Sequence, residues 1–162
     1  MKPWHERPIE IRNLFNPAFC GVLLARAIKT FEAEDERGMP FSLALLVLPL
    51  SLHRQSRQTI CASNKAYFLK VVEGNPELLV GFAERARSYL PYTFEAFGVL
   101  MHMGCIQVTN EGRIKLLPRR VSPKALGSPE CQECEQAARL LGREFARLRD
   151  RVTIYTMLGV KP

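Results

Sequence analysis

The sequence predicts a single α+β domain that is mainly α-helical and carries a small β hairpin. A chain of 162 residues with 47% hydrophobic residues is long enough to bury one sizeable core. Several stretches space their apolar residues with the helical period, and two short stretches alternate across a turn. The order helix, tight turn, helix, hairpin over residues 64–120 predicts a winged helix-turn-helix-like core. Flanking helices are predicted in residues 1–63 and 128–162.

The clearest local signal in the N-terminal part is a helix start at Asn16. The Asn16 side chain can cap a helix. Pro17 suits the first helical position, because a backbone N–H there would have no partner within the helix and proline has none. Leu14 and Phe15 precede the cap and can fold back onto the first turn. The helix is predicted to end near Glu34, with an apolar stripe facing a partner. A polar face is predicted to meet water, at Arg26, Lys29 and Glu32.

Shorter segments flank this helix. Met1–Ile11 is predicted to be an extended arm. Phe41–Val47 is apolar and bounded by helix breakers, so it is either a buried strand or a short buried helix, and periodicity does not separate the two. Further helices are predicted over Leu50–Gln58 and, with Ser63 as the cap, over Lys65–Glu73.

The predicted winged helix-turn-helix-like core rests on two helices and a hairpin. One helix is predicted from Pro76 to Leu90, Pro91 ends it, and Thr93 caps a second helix over Phe94–Met103. Alternation over residues 105–109 and 113–117, around a turn that ends in glycine, predicts the hairpin. The second helix is nearly all apolar and lacks arginine, lysine, asparagine and glutamine, which favours protein docking over base-specific DNA reading.

The C-terminal part begins after a linker over residues 121–128. Ser128 can cap a helix that starts at Pro129 and reaches about Arg149. A short last helix is predicted over Val152–Leu158.

The net charge of +7 is unevenly distributed. One segment holds five cations and no acid, and we call it the basic segment: Arg113, Lys115, Arg119, Arg120 and Lys124. Such a patch permits an acidic partner, including nucleic acid. We therefore expect non-specific contact between the basic segment and a nucleic-acid backbone.

The residue types required for catalysis do not form a recognisable set, which predicts that the chain is not an enzyme and has no cofactor. Cys131-Gln132-Glu133-Cys134 lacks the second ligand pair of a zinc site, so it is interpreted as one face of a helix, without metal. His53 lies in a polar cluster in which Arg54 and Arg57 could bind a phosphate or a carboxylate, or simply form a solvated helix face.

The cysteines and the hydropathy indicate a cytoplasmic protein. Five cysteines are an odd number in apolar or helical contexts, which is typical of reduced thiols. The first residues show no signal peptide, and the longest apolar run, Leu43–Leu50, is too short to span a bilayer. No membrane partner is expected.

The motif Asn13-Leu-Phe-Asn-Pro-Ala-Phe-Cys-Gly21 is the most specific of several that resemble the middle component of bacterial three-component ABC systems. Weaker matches cover nearly the whole chain: Gly38-Met-Pro-Phe41, Leu48-Pro-Leu, His53, Arg57, Val80–Arg87, Pro91-Tyr-Thr, Leu140–Phe145 and Leu158–Pro162.

The resemblance implies an adaptor role. Such proteins are encoded beside an SMC/Rad50-like ABC ATPase and an effector, often a nuclease, in Lamassu-type and related systems that act against phages and plasmids. Partner binding is predicted at Leu14, Phe15, Asn16, Phe19, Arg54 and Arg57. The apolar residues of this set are buried either in the chain's own core or in a partner. The alternative function is a stand-alone winged-helix transcriptional regulator that binds DNA.

Overall fold

The computed structural model describes residues 3–63, 66–124 and 127–161. It is mainly helical with a small antiparallel sheet, which confirms the predicted α+β class. After a 3-10 helix at Trp4–Glu6, the elements are α1 (Ile9–Leu14), α2 (Pro17–Glu32), β1 (Met39–Pro40), α3 (Phe41–Ala44), α4 (Val47–Ser51), α5 (Arg54–Ala62), α6 (Phe68–Gly74), a 3-10 turn (Pro76–Leu79), α7 (Phe82–His102), β2 (Ile106–Val108), β3 (Arg113–Leu116), α8 (Pro129–Leu148) and α9 (Arg151–Met157).

Helix α2 is the centre of the core. Asn16 caps it as predicted, because its side-chain oxygen accepts the N–H groups of Ala18 at 3.0 Å and Phe19 at 3.2 Å. The helix packs most extensively against α8 and then against α7, so Leu23 and Ile28 have no exposed surface. Within the described residues, the stretch Ile9–Glu32 has the length and composition of a membrane span. Its packing against α7 and α8 explains that composition, because a buried core helix can be as long and as apolar as a membrane span.

The predicted hairpin is confirmed, and a third strand joins it. Strands β2 and β3 are antiparallel, with Ile106 opposite Leu116 and Val108 opposite Ile114. Strand β1 pairs with the other edge of β3, with Met39 opposite Ile114. The apolar stretch that follows β1 forms the short buried helices α3 and α4, which settles the choice between strand and helix in favour of helix.

Three predicted boundaries in the N-terminal half are wrong. The arm is not extended, because it contains the 3-10 helix and the start of α1. The helix predicted from Leu50 instead starts at Arg54, because His53 caps it by accepting the N–H of Ser56. Ser63 ends α5 and does not begin a helix. The predicted helix start at Lys65 lies outside the described residues.

The predicted break at Pro91 is wrong as well. Helix α7 continues through Pro91, and Thr93 donates its hydroxyl to the Tyr89 carbonyl and does not cap a new helix. Pro91 cannot bond the carbonyl of Arg87, but both residues are exposed, so water can take that bond. The two helices of the expected helix-turn-helix are therefore largely one helix, and the structure does not confirm a winged helix-turn-helix.

Candidate functional site

The residues predicted to bind a partner are only partly available on the surface. The Phe15 side chain is 5% exposed and stacks on Tyr92 with a centroid distance of 3.9 Å. It also meets Tyr89 edge-on at 4.7 Å. Phe15 therefore belongs to the chain's own core. Leu14, one residue earlier, is 41% exposed and is free to contact another molecule.

The remaining residues of this set lie mostly around one cleft, which we call the hook cleft. It has a volume of about 560 Å³ and lies between the end of α1, the start of α2 and the start of α8. The predicted residues that line it are Leu14, Asn16, Phe19 and Arg57. Tertiary structure adds further lining residues that the sequence did not predict to bind a partner: Glu10, Asn13, Leu52, Gly127, Glu130, Cys131 and Cys134. Arg54 is exposed and does not line the cleft.

Arg57 has a structural role at one wall of the hook cleft. Its side chain is 3% exposed, and its Nε lies 2.6 Å from Glu133 Oε2 while Nη2 lies 2.8 Å from Glu130 Oε1. Its third nitrogen, Nη1, donates to the Leu52 carbonyl at 3.1 Å. Two carboxylates of this chain already hold the Arg57 guanidinium, so Arg57 does not lie on a solvated helix face, and its role in binding a partner stays a prediction.

The two cysteines of the Cys131–Cys134 pair also line the hook cleft, and both are free thiols. Burial raises the pKa of Cys134 to about 11, so this thiol is protonated at neutral pH and is a poor metal ligand or nucleophile. Among the described residues, no group of three or more histidine, cysteine or acidic side chains is placed to hold a metal ion. The cleft is therefore suited to docking an apolar side chain, with Glu10 and Glu130 at its rim.

The basic segment is less basic than its sequence indicates. Arg113 donates to the Gly38 carbonyl at 2.9 Å and lies 3.6 Å from Asp35 and 3.8 Å from Glu111. Lys115 is partly buried and lies near Glu32. The interpretation of five uncompensated cations is therefore wrong for Arg113, because the fold brings Asp35 and the turn residue Glu111 within ion-pair distance of it. Three cations of the segment remain exposed: Arg119, Arg120 and Lys124.

A buried ion pair holds the exposed part of the basic segment in place. Arg26 Nε donates to Glu135 Oε2 at 2.7 Å, and the two side chains are only 5% and 2% exposed. The other guanidinium nitrogens of Arg26 donate to the carbonyls of Ser122 at 2.6 Å and Lys124 at 3.2 Å. The prediction that Arg26 faces water is wrong. In the sequence, the only sign of its burial is the position of Arg26 beside the apolar stripe of α2. That position does not indicate Glu135 as the partner.

Comparison with known proteins gives one family. A family model described as ABC-three component (ABC-3C) system Middle Component 3 matches residues 4–162, which include the hook cleft and the basic segment. No curated protein and no solved structure matches the chain. The match confirms the predicted resemblance to a middle component of three-component ABC systems.

Proposed function

The chain belongs to the family of middle components of ABC-three component systems, and from this premise we propose that it is a non-enzymatic adaptor. In this proposal it links an SMC/Rad50-like ABC ATPase to an effector subunit, often a nuclease, encoded in the same operon. The complex would act in the cytoplasm, in defence against phages or plasmids, as in Lamassu-type systems. The five free thiols of the chain are compatible with that compartment.

The observation that carries the adaptor proposal is the hook cleft. It presents an exposed leucine and a partly buried phenylalanine, Leu14 and Phe19, beside a rigid wall made by the Arg57 ion pairs. A preformed apolar cleft of this kind suits a side chain inserted by a partner. Burial of one leucine-sized or phenylalanine-sized side chain contributes about 1.5–3 kcal/mol.

The direct test is recovery of the complex from cells. The tagged chain is expressed with its intact native operon and purified after nuclease treatment. We expect an SMC-like ATPase and an effector to be recovered in a fixed ratio. A chain recovered alone, or with DNA that nuclease removes, would contradict the adaptor proposal and favour the DNA-binding regulator.

Leu14→Asp is expected to reduce recovery of the partner components at least tenfold, because it places a charge in the hook cleft where an apolar side chain docks. The matched control is Val80→Asp, which changes a valine that is 73% exposed and lies outside that cleft. Both variants should keep the circular dichroism spectrum and melting temperature of the wild type. Equal recovery for Leu14→Asp and wild type would show that the hook cleft is not the docking surface.

Contact with a nucleic-acid backbone is a separate proposal, and it rests on the three exposed cations of the basic segment. If duplex DNA is bound there, Arg119→Glu/Arg120→Glu should reduce the slope of log affinity against log salt by up to about 1.8, since each lost phosphate contact removes about 0.9. Arg54→Glu/Arg87→Glu changes two exposed arginines elsewhere and gives the same change in net charge. An identical slope in both double variants would show that the basic segment does not contact the DNA backbone.

A further inference from the structure

A second cleft lies at the opposite end of α8 from the hook cleft, and we call it the arginine cleft. Its volume is about 460 Å³, and it is bounded by the end of α2, β1, α3, the hairpin turn and the junction of α8 and α9. Its charged lining residues are four arginines and three acids: Arg37, Arg113, Arg149, Arg151, Asp35, Glu111 and Asp150. Neither the sequence motifs nor the family description assigns a role to this cleft.

The arginines of this cleft differ in how far the chain itself neutralises them. The Arg37 guanidinium donates two hydrogen bonds to Asp35, at 2.9 and 2.8 Å, and Asp35 also lies 3.6 Å from Arg113. The hydrogen bonds from Arg37 lower the pKa of Asp35 to about 2, so these charges stay paired at neutral pH. Arg149 and Arg151 are exposed, and neither has a carboxylate within ion-pair distance among the described residues.

Asp150, the acid between these two arginines in the sequence, already accepts hydrogen bonds from the chain itself. Asp150 caps α9 by accepting the N–H groups of Val152 at 3.0 Å and Thr153 at 3.2 Å, together with the Thr153 hydroxyl. These hydrogen bonds lower the pKa of Asp150, and Arg151 adds to the effect. The guanidinium groups of Arg149 and Arg151 therefore remain able to hydrogen-bond anionic oxygens from another molecule.

An exposed apolar surface adjoins the arginine cleft, and we call it the apolar ridge: Phe41, Phe94 and Met101. Phe41 lines the cleft, is 39% exposed and stacks on Phe94 with a centroid distance of 6.2 Å. Phe94 and Met101 are 51% and 59% exposed, and their spacing of seven residues places them on one face of α7. Gly98 is exposed between them and adds no side chain. An exposed group of large apolar side chains is a candidate contact surface for another molecule.

We propose that the arginine cleft and the apolar ridge together bind one acidic segment of another component of the system, in which aspartate or glutamate residues flank a large apolar side chain. The carboxylates pair with Arg149 and Arg151, and the apolar side chain covers Phe41 and Phe94. This inference rests on the proposed adaptor function. A nucleic-acid backbone would satisfy the arginines, but it has no apolar side chain to cover the ridge, whereas a protein segment supplies both.

The position of the two clefts suits an adaptor. The hook cleft is lined by Cys131 near the start of α8 and the arginine cleft by Arg149 just after its end, and the two share no lining residue. At the helical rise of ~1.5 Å per residue, these positions are roughly 27 Å apart along α8. Two different partners can therefore occupy the two clefts at the same time.

The test uses the full chain co-expressed with its native operon. p-Benzoylphenylalanine, a photo-cross-linking amino acid, replaces Phe94 in one sample and the exposed control residue Val80 in another. Irradiation followed by mass spectrometry should map cross-links from position 94 to an acidic segment of another component, at a yield well above that from position 80. In the Arg149→Glu/Arg151→Glu background the yield should fall at least tenfold, whereas Arg87→Glu and the conservative Arg149→Lys/Arg151→Lys should retain most of it.

The outcomes separate this inference from the adaptor proposal. If the other components co-purify but position 94 cross-links to a second copy of this chain, to nucleic acid, to a non-acidic segment or to nothing, the inference is wrong and the adaptor proposal stands. The same holds if charge reversal leaves the yield unchanged. If no component co-purifies with the wild-type chain, both proposals are wrong. Circular dichroism of the charge-reversal variant excludes loss of folding as the cause of a lower yield.

Discussion

Glu135→Ala is expected to lower the free energy of unfolding by about 3–5 kcal/mol, because it leaves the Arg26 guanidinium buried without a counter-charge. Both side chains are almost fully buried, so water cannot replace the lost carboxylate. For a chain of this size the loss corresponds to a melting temperature lower by about 6–20 °C. Thermal unfolding followed by circular dichroism measures it directly.

Two further variants show whether the burial of the pair causes the effect. Arg37→Ala removes one partner of an exposed ion pair, since the Arg37 side chain is 66% exposed, and it should lower the stability far less than Glu135→Ala does. Arg26→Met/Glu135→Leu removes both buried charges together and should recover most of the stability lost in Glu135→Ala. A double variant as unstable as Glu135→Ala would contradict the explanation through an unpaired buried charge.

Gly142→Ala is expected to destabilise the fold by about 3 kcal/mol, although alanine is the better helix former. Gly142 lies where α8 crosses α2, and a Cβ atom there would overlap the Ala27 carbonyl oxygen and the Thr30 hydroxyl. The Ala27 carbonyl carbon would be only 2.8 Å away. The two helices must separate to make room, and Thr30 would lose its 2.8 Å hydrogen bond to the Arg139 carbonyl. A melting temperature about 6–12 °C lower is expected.

Gly98→Ala is the matched control for this second substitution. Gly98 is also inside a long helix, but a Cβ atom there meets nothing within 4 Å. The same chemical change should therefore stabilise the chain by about 0.5–1 kcal/mol, because it removes the conformational freedom of glycine in the unfolded state. Effects of the same sign at both positions would contradict the close approach of α2 and α8.

The features that the sequence predicted correctly are those with local causes. Asn16 caps α2 and Ser128 caps α8 with hydrogen bonds to residues two or three positions away, so the signals are complete within a few residues. The hairpin likewise depends on alternation and on a turn between adjacent strands. Of the residues that line the hook cleft, the sequence had named Leu14, Asn16, Phe19 and Arg57 as partner contacts, and that role stays a prediction.

The errors arise where a distant part of the chain decides the outcome. Pro91 is a helix breaker in isolation, but packing of α7 against the core outweighs the one lost hydrogen bond. The sequence left open whether Phe15 is buried in the chain's own core or in a partner, and its contacts with Tyr89 and Tyr92 of α7 place it in the core. Both results follow from contacts between elements that are distant in the sequence, which no local pattern records.

The sequence by itself determined the fold class, the two capped helices, the hairpin and, through its motifs, the family. Only the tertiary structure decided which charged side chains are paired within the chain and which can bind another molecule. It paired Arg26 with Glu135, Arg57 with Glu130 and Glu133, and Arg113 with Asp35, and it left Arg149 and Arg151 without a carboxylate partner among the described residues. The physical reason is that an ion pair depends on separations of a few ångströms in space, and those separations are set by how the helices pack.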